Sequence, residues 1–140
     1  MPKRIAIALI VASFAAAAQV SAASLTVGVT AIKEDTGAIM LALYDNADAY
    51  NGSGPSTKAA RIDVEGGKVS IEFDDLPPGR YAIKLYHDAN STGELDTNIM
   101  GLPIEAYGFS GKAESLGPPP FDTAAVEIVA GENSVTVRLR

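Results

Sequence analysis

The sequence predicts an all-β fold, a β-sandwich of about seven short antiparallel strands. Three observations support this prediction. Apolar and polar residues alternate with a period of two in short runs, turn residues separate these runs, and no run of ten or more residues has a convincing helical period. Such a pattern is typical of immunoglobulin-like and prealbumin-like sandwiches, and a small barrel is the alternative.

Residues 1–22 are predicted to be a secretory signal peptide rather than part of the fold. Two basic residues precede an alanine-rich apolar run over residues 5–18, and small residues follow at 20–22. This order is typical of a signal peptide, and the apolar run is short for a helix that spans a bilayer. We therefore expect cleavage after Ala22, one mature domain over residues 23–140, a periplasmic or secreted location, and no membrane insertion after cleavage.

The first three predicted strands lie between the signal peptide and the middle of the chain. Residues 25–31 alternate apolar residues with threonine and glycine. Residues 37–45 are apolar on both faces, so both faces of this strand are expected to be covered. Residues 60–65 form a weaker strand, because only Ile62 and Val64 are large and apolar there.

Four more predicted strands follow. Residues 68–73 alternate cleanly between apolar and polar side chains. The strand over residues 80–87 places His87 on the same face as three apolar side chains, since side chains two apart share a face. Residues 124–129 and 135–139 complete the set.

Turn residues separate these strands. Glycines at the centre of 65–68 predict a tight hairpin, and the prolines and glycine of 75–79 predict a second turn. Residues 131–133 form another turn, and 46–58 form a longer polar loop. The longest irregular segment, 97–121, is expected to be functional because long loops are uncommon in small domains.

The composition limits the partners and the kinds of site that this chain offers. It has no cysteine and a single histidine, His87, which excludes thiolate zinc sites, cysteine nucleophiles and metal sites built from several imidazoles. The 17 acidic residues outnumber the 11 basic ones, which gives a formal net charge of −6. An acidic surface repels nucleic acid and anionic lipid, so we expect neither as a partner.

Residues 88–96, the acidic loop, match the first three quarters of a calcium-binding loop. They read D-A-N-S-T-G-E-L-D, with oxygen-bearing side chains at alternate positions and glycine at the sixth. Calcium takes six to eight oxygen ligands at about 2.3–2.6 Å, and glycine at position six permits the sharp turn that points alternate residues inward. The predicted calcium ligands are Asp88, Asn90, Thr92, the carbonyl group of Glu94, and Asp96.

The acidic loop also departs from a complete calcium loop. Position twelve, where an EF-hand has a bidentate glutamate, is Ile99, and the loop follows a strand instead of a helix. A third carboxylate would have to come from Glu105 or Asp122, and Asn98 could add an amide oxygen. If calcium binds, we expect a structural role and an affinity of ~10⁻⁴–10⁻³ M. The alternative is a polar turn whose side chains cap their own backbone.

A catalytic role for His87 is the competing interpretation. Asp88 is adjacent to His87 and serines occur nearby, but neighbouring residues on a strand point to opposite faces, so Asp88 is badly placed to orient the imidazole. No nucleophile-elbow motif occurs in the sequence. We therefore expect His87 to be a packed or hydrogen-bonded strand residue, and catalysis would require it to be exposed in a concave pocket.

Two aromatic residues in the long irregular segment allow two interpretations. Tyr107 and Phe109 would form a binding surface if they were exposed. We expect them instead to fold back over one end of the sandwich, because aromatic side chains dominate core burial. The proline-rich residues 117–121 are expected to stiffen the return to the next strand.

Nine short motifs in order together resemble a bacterial family of exported proteins, domain of unknown function 2141. They are GAI at 37–39, LYD at 43–45, FDDLPPGRYA at 73–82, YHDAN at 86–90, GELDTN at 93–98, GLP at 101–103, EAYGFS at 105–110, GPPPF at 117–121 and VTVRL at 135–139. The resemblance covers residues 25–140. It implies an exported β-sandwich with no established activity, cofactor or partner.

The turn Leu-Pro-Pro-Gly-x-Tyr within these motifs also resembles transthyretin-like and carboxypeptidase-regulatory sandwiches. Two enzyme classes of that broad fold do not fit. Intradiol dioxygenases hold iron with two histidines and two tyrosines, and this chain has one histidine. Hydroxyisourate hydrolases end in Tyr-Arg-Gly-Ser, whereas this chain ends in Val-Arg-Leu-Arg.

The leading functional hypothesis is a non-enzymatic exported binding or accessory module whose working surface is residues 86–110. Polar, loop-rich segments on rigid strands are where binding residues concentrate. Its partner would be an unknown ligand or an envelope protein. The alternatives are a small hydrolase or isomerase that uses His87, and a purely structural envelope protein.

Overall fold

The computed structural model describes residues 21–112 and 117–140. All but the last two residues of the predicted signal peptide lie outside this part of the chain. The described part contains eight strands, a π-helical turn over Ala49–Ser53 and one short α-helix, α1, over Phe121–Ala124. The strands are β1 Ala23–Thr30, β2 Ala38–Tyr44, β3 Lys58–Asp63, β4 Val69–Leu76, β5 Gly79–Asp88, β6 Tyr107–Phe109, β7 Val126–Ile128 and β8 Gly131–Arg138.

The strands form two sheets, so the prediction of an all-β sandwich is confirmed. Three strands make one sheet in the order β4-β1-β8, and the second sheet runs β3-β2-β5-β6, with β7 also paired to β5. Eight strands are present in the described residues where about seven were predicted. All seven predicted segments contain a strand, and β6 is the additional one.

One strand pair differs from the prediction of an antiparallel sandwich. The first and last strands, β1 and β8, pair in parallel, with Ala23 opposite Gly131 and Thr30 opposite Arg138. The cause is the order of connections. Strand β7 is antiparallel to β5 in the five-stranded sheet, and the two-residue link that follows it sends β8 into the other sheet.

The core lies between the two sheets and is built by the alternation that the sequence shows. Inward side chains of β1 and β4 are buried while their neighbours are exposed or half-buried. On β5 the predicted inward face, which includes His87, is buried as well. The main cluster of buried apolar side chains includes Leu25, Val27, Ile39, Leu43, Ile71, Phe73, Ile83, Leu85 and Val137.

The predicted hairpin at 65–68 is confirmed. Gly66 and Gly67 have φ of 66° and 65°, and Glu65 pairs with Lys68 across the turn. Two consecutive residues with positive φ are typical of a type I′ turn, which glycine adopts without steric cost. The turn carries the chain from β3 in one sheet to β4 in the other.

Two segments differ from their sequence-based interpretation. Strand β6 lies within the segment predicted to be irregular, because three residues with a central glycine are too short to show a period. The predicted strand over 124–129 is split: α1 follows Pro120 and ends at Ala124, and only Val126–Ile128 forms a strand. Among the described residues no helix is long and apolar enough to cross a membrane.

Candidate functional site

The acidic loop begins at the last residue of β5. Asp88 is only 2% exposed, and its two carboxylate oxygens accept hydrogen bonds from the backbone N–H groups of Thr92 and Gly93, both at 2.9 Å. Gly93 has a φ of 82°, a conformation that glycine adopts readily. Asp88 therefore shapes the loop by capping its backbone, as the turn alternative predicts.

Side-chain and carbonyl oxygens converge on Thr92 inside the acidic loop. The Oγ1 atom of Thr92 lies 3.4 Å from Asp88 Oδ1, 3.2 Å from the Glu94 carbonyl oxygen and 3.3 Å from Asp96 Oδ1. The amide of Asn90 donates a hydrogen bond to the other carboxylate oxygen of Asp96. The structure thus brings together all five residues that the sequence marks as candidate ligands.

Glu105 connects the two ends of the acidic loop. Its carboxylate accepts hydrogen bonds from the backbone N–H of Ala89 at 3.1 Å and from that of Asp96 at 3.0 Å. These two bonds hold the start and the end of the loop at a fixed separation. Glu105 is therefore bound to the backbone of the loop, next to the converging oxygens.

The other two candidate oxygen donors are engaged elsewhere. Asp122 on α1 pairs with Arg80 at 2.9 Å, near the opposite end of β5 from Asp88, and eight residues of strand span about 26 Å. The side-chain oxygen of Asn98 accepts hydrogen bonds from the backbone of the loop that follows it. Within the part of the chain that the structure describes, no group of three or more histidine, aspartate or glutamate side chains is placed to hold a metal. Calcium binding stays a prediction.

His87 is packed into the sheet. It is 3% exposed, and its Nε2 lies 2.7 Å from the carbonyl oxygen of Thr36. A carbonyl oxygen only accepts hydrogen bonds, so Nε2 carries the proton and donates it. A polar cavity of about 450 Å³ borders His87, Glu105 and Arg140, but the imidazole itself is buried. The hydrolase alternative requires an exposed His87, and the structure places this side chain in a buried position instead.

A large apolar groove lies on the outer face of the five-stranded sheet. Its volume is about 1180 Å³. The floor comes from residues of β2, β3, β5 and β6, one wall from the segment 95–103, and the other from Gly117 and Pro118. The lining side chains on the floor and walls include Met40, Ala42, Tyr44, Lys84, Tyr86, Leu95, Leu102, Pro103, Tyr107 and Phe109.

The aromatic residues of β6 take a position that the sequence analysis did not favour. Tyr107 and Phe109 are half-buried on the outer face of the sheet, and they do not cover one end of the sandwich. Their ring centroids lie 5.7 Å apart with an interplanar angle of 65°. Such edge-to-face packing leaves part of both rings available to line the groove.

Lys84 lies on the floor of the groove, among aromatic rings. Its Nζ donates a hydrogen bond to the carbonyl oxygen of Tyr50, and lies 4.1 Å from the ring centroid of Tyr50 and 5.4 Å from that of Tyr44. Removal of water from around the ammonium lowers the pKa of Lys84. Burial, followed by the nearby Tyr44, raises the pKa of Tyr50 to about 12, so this phenol stays neutral and donates to Pro119 at 2.9 Å.

Tyr86 connects the groove to the acidic loop. Its ring lines the groove, and its hydroxyl group donates a hydrogen bond to the carbonyl oxygen of Gly93 at 3.0 Å. Burial, and then the negative charges of Asp88, Glu105 and Glu94, raise the pKa of Tyr86. The phenol therefore keeps its proton, and the groove and the loop share one hydrogen-bonded boundary.

The loop that walls the groove is apolar at its exposed surface. In the described residues, four of the five exposed large hydrophobic side chains lie in this short loop, and they are Ile99, Met100, Leu102 and Ile104. The two hydrogen bonds that Asn98 Oδ1 accepts, from Met100 at 2.9 Å and from Leu102 at 3.1 Å, hold the loop in a compact turn. An apolar rim of this kind is expected where a protein meets a ligand or partner.

The sequence of the whole sandwich identifies its family. The sequence model of the family described as "Uncharacterized protein conserved in bacteria (DUF2141)" matches residues 27–136, from β1 into β8. The chain belongs to the DUF2141 family. The match includes the acidic loop and both walls of the groove, and it confirms the resemblance found in the sequence motifs. A search of curated proteins finds no match to this chain.

In this DUF2141 member, the acidic loop is predictable from the sequence and the groove is not. The loop is contiguous in sequence, so its spacing is visible. The groove collects residues from five separate parts of the chain, 40–44, 59–61, 84–86, 95–109 and 117–118, which only the fold brings together. One signal was present: residues 37–45 are apolar on both faces, and their outward side chains form part of the groove floor.

Proposed function

We propose that this DUF2141 protein is an exported, non-enzymatic binding module that takes an apolar ligand in the groove on its five-stranded sheet. The observation that carries the proposal is the groove itself. Small-molecule sites are concave, mainly apolar with a few polar groups, and typically about 300–1,000 Å³ in volume. The groove, at about 1180 Å³, has this character and slightly exceeds this size.

The location of the groove supports the same proposal. Its floor is the outer face of strands whose inner faces pack in the core, so the floor is held by the sandwich. One wall belongs to the segment 86–110, which the sequence analysis marks as the working surface. Rigid floors with loop walls are a common arrangement of binding sites, because the strands fix the geometry and the loops supply variety.

The non-enzymatic part of the proposal is supported by the state of His87. The chain has one histidine, and its imidazole is buried and hydrogen-bonded to the carbonyl oxygen of Thr36. It is therefore not accessible to a substrate. Acid–base chemistry needs a group within hydrogen-bond reach of the reacting atom. The groove lining in the described residues contains two lysine or arginine side chains and no carboxylate.

A structural calcium ion in the acidic loop is the second part of the proposal. Three oxygens, from Asp88, Glu94 and Asp96, lie 3.2–3.4 Å from Thr92 Oγ1, a spacing that suits four ligands of one ion at about 2.3–2.6 Å from each. Because Tyr86 joins this loop to the groove, an ion would stiffen one boundary of the binding site. The role would be structural.

The groove is tested with Nile red, an uncharged apolar dye whose emission rises in an apolar site. We expect saturable binding to the protein over residues 23–140, weakened about tenfold by Ala42→Trp, because the indole fills the floor. Ala130→Trp is the matched control, since Ala130 is exposed and outside the groove lining. Absence of saturable binding, or equal binding by both variants, would contradict the proposal, provided that both variants melt cooperatively.

A further inference from the structure

The groove contains a cation, Lys84, that forms no ion pair with a carboxylate among the residues that the structure describes. The two ion pairs found within residues 21–112 and 117–140 are Arg61 with Asp63, at 2.6 Å, and Arg80 with Asp122, at 2.9 Å. Lys84 is in neither pair. A lysine in apolar surroundings is usually paired, because burying a charge without a partner is costly.

The charge of the groove is opposite to that of the molecule. The chain carries 17 acidic and 11 basic residues. The described groove lining nevertheless holds Lys84 and Arg61 and no aspartate or glutamate. Arg61 is neutralised by Asp63, which leaves Lys84 as the source of unbalanced positive charge within the described lining.

The ammonium group of Lys84 has hydrogen-bond donors available for a ligand. An ammonium carries three N–H donors, and one of them is used on the carbonyl oxygen of Tyr50. The rings of Tyr50 and Tyr44 provide cation–π contacts at 4.1 and 5.4 Å from Nζ. These contacts hold Nζ at the groove floor without supplying a negative charge. The loss of water around the ammonium group lowers the pKa of Lys84.

We propose that the natural ligand of the groove is a small amphiphile with an apolar body and a single carboxylate, and that Lys84 binds the carboxylate. This inference rests on the proposed function of the groove and names its ligand class. The apolar body lies against the aromatic and aliphatic lining, and the carboxylate accepts hydrogen bonds from Nζ. A carboxylate ligand is also consistent with the described part of the lining, which holds no acidic side chain.

The test compares three probes with the same ten-carbon chain and different heads: decanoate, decanol and decylammonium. Each displaces Nile red from the protein over residues 23–140. We expect decanoate to bind at least tenfold more tightly than decanol, because hydrogen bonds to charged groups are the stronger kind. Decylammonium is expected to bind most weakly, because Lys84 repels it. Equal affinity of decanoate and decanol, or tighter binding of decylammonium, would overturn the inference.

Two variants assign the preference to a residue. Lys84→Met keeps an unbranched apolar side chain and removes the charge, so it should abolish the preference for decanoate over decanol. The readout is the ratio of the two affinities within one variant, which a general change in Nile red affinity does not alter. Lys68→Met is the control, because Lys68 is exposed and lies outside the groove lining. A preference that survives in Lys84→Met, or is lost in Lys68→Met, would overturn the assignment. Failure of Nile red to bind the wild-type protein is a separate result, which contradicts the proposed function instead.

Discussion

A single glycine sets how closely the start of β2 approaches the acidic loop. Gly37 has a φ of 69°, and a Cβ atom there would lie 2.0 Å from the carbonyl oxygen of Asp88 and 2.7 Å from the Cα of Ala89. Its own carbonyl accepts a hydrogen bond from Val64 at 3.0 Å. Gly37 is therefore fixed between two chain segments, and a side chain would push the loop away.

This contact predicts a large loss of stability for Gly37→Ala. Left-handed backbone costs about 1–2 kcal/mol for a residue with a Cβ, and overpacking adds about 1–3 kcal/mol. Gly66→Ala is the control, because Gly66 has a similar φ of 66° and no atom near its Cβ position. Urea unfolding should show a loss roughly 2 kcal/mol greater for Gly37→Ala. Equal losses would show that the close approach does not matter.

Among the elements, the strands were predictable and the groove was not. Strands β1, β4 and β5 follow from their alternation, since the inward-facing side chains of each are buried between the sheets. Strand β6 escapes notice because it has only three residues. The parallel partnership of β1 with β8 depends on the order of connections through both sheets, and no local pattern records it.

The acidic loop was only partly predictable. The spacing of its oxygens is visible in the sequence, and the fold brings them together around Thr92. The partner of Glu105 could not be inferred from the sequence, because this side chain lies nine residues beyond Asp96 and binds backbone N–H groups. Glu105 lies in an irregular segment, so no periodic pattern in the sequence indicates that its side chain binds the acidic loop.

Calcium is predicted to raise the melting temperature of the protein through this loop. With a dissociation constant of ~1 mM, 10 mM calcium adds about 1.4 kcal/mol, or roughly 5 °C in a domain of this size. Thermal melting in calcium, in chelator and in magnesium measures the effect. Asp96→Ala should abolish the increase, because it removes one of the two side-chain carboxylates in the converging set. An unchanged melting temperature of the wild-type protein in calcium would contradict the metal hypothesis.

At the scale of the whole molecule, strand β5 joins core, groove and loop. Its inward side chains Ile83 and Leu85 are buried between the sheets, and its outward side chains Lys84 and Tyr86 form part of the groove floor. Its last residue, Asp88, begins the acidic loop. A site whose supports are fixed by core packing keeps its geometry better than one carried by loops alone.

The predicted cleavage of a signal peptide implies a mature protein with a defined first residue. The expected cleavage after Ala22 falls directly before β1, whose first residue, Ala23, is buried. Cleavage there would remove no residue of the two sheets that the structure describes. Intact-mass measurement of the protein from the periplasmic or secreted fraction should give a chain that begins at Ala23. A chain that keeps residues 1–22 would contradict the prediction of export by a cleaved signal peptide.

The parallel pairing of β1 and β8 determines which end of the chain should carry an affinity tag or a linkage to a sensor surface. Because both strands run the same way over eight paired residues, their starts and ends are separated by about 26 Å of strand. Arg140, beyond the end of β8, exchanges backbone hydrogen bonds with Tyr107, which lines the groove. An affinity tag or sensor linkage at Arg140 would therefore crowd the groove, whereas one placed before Ala23 leaves it open.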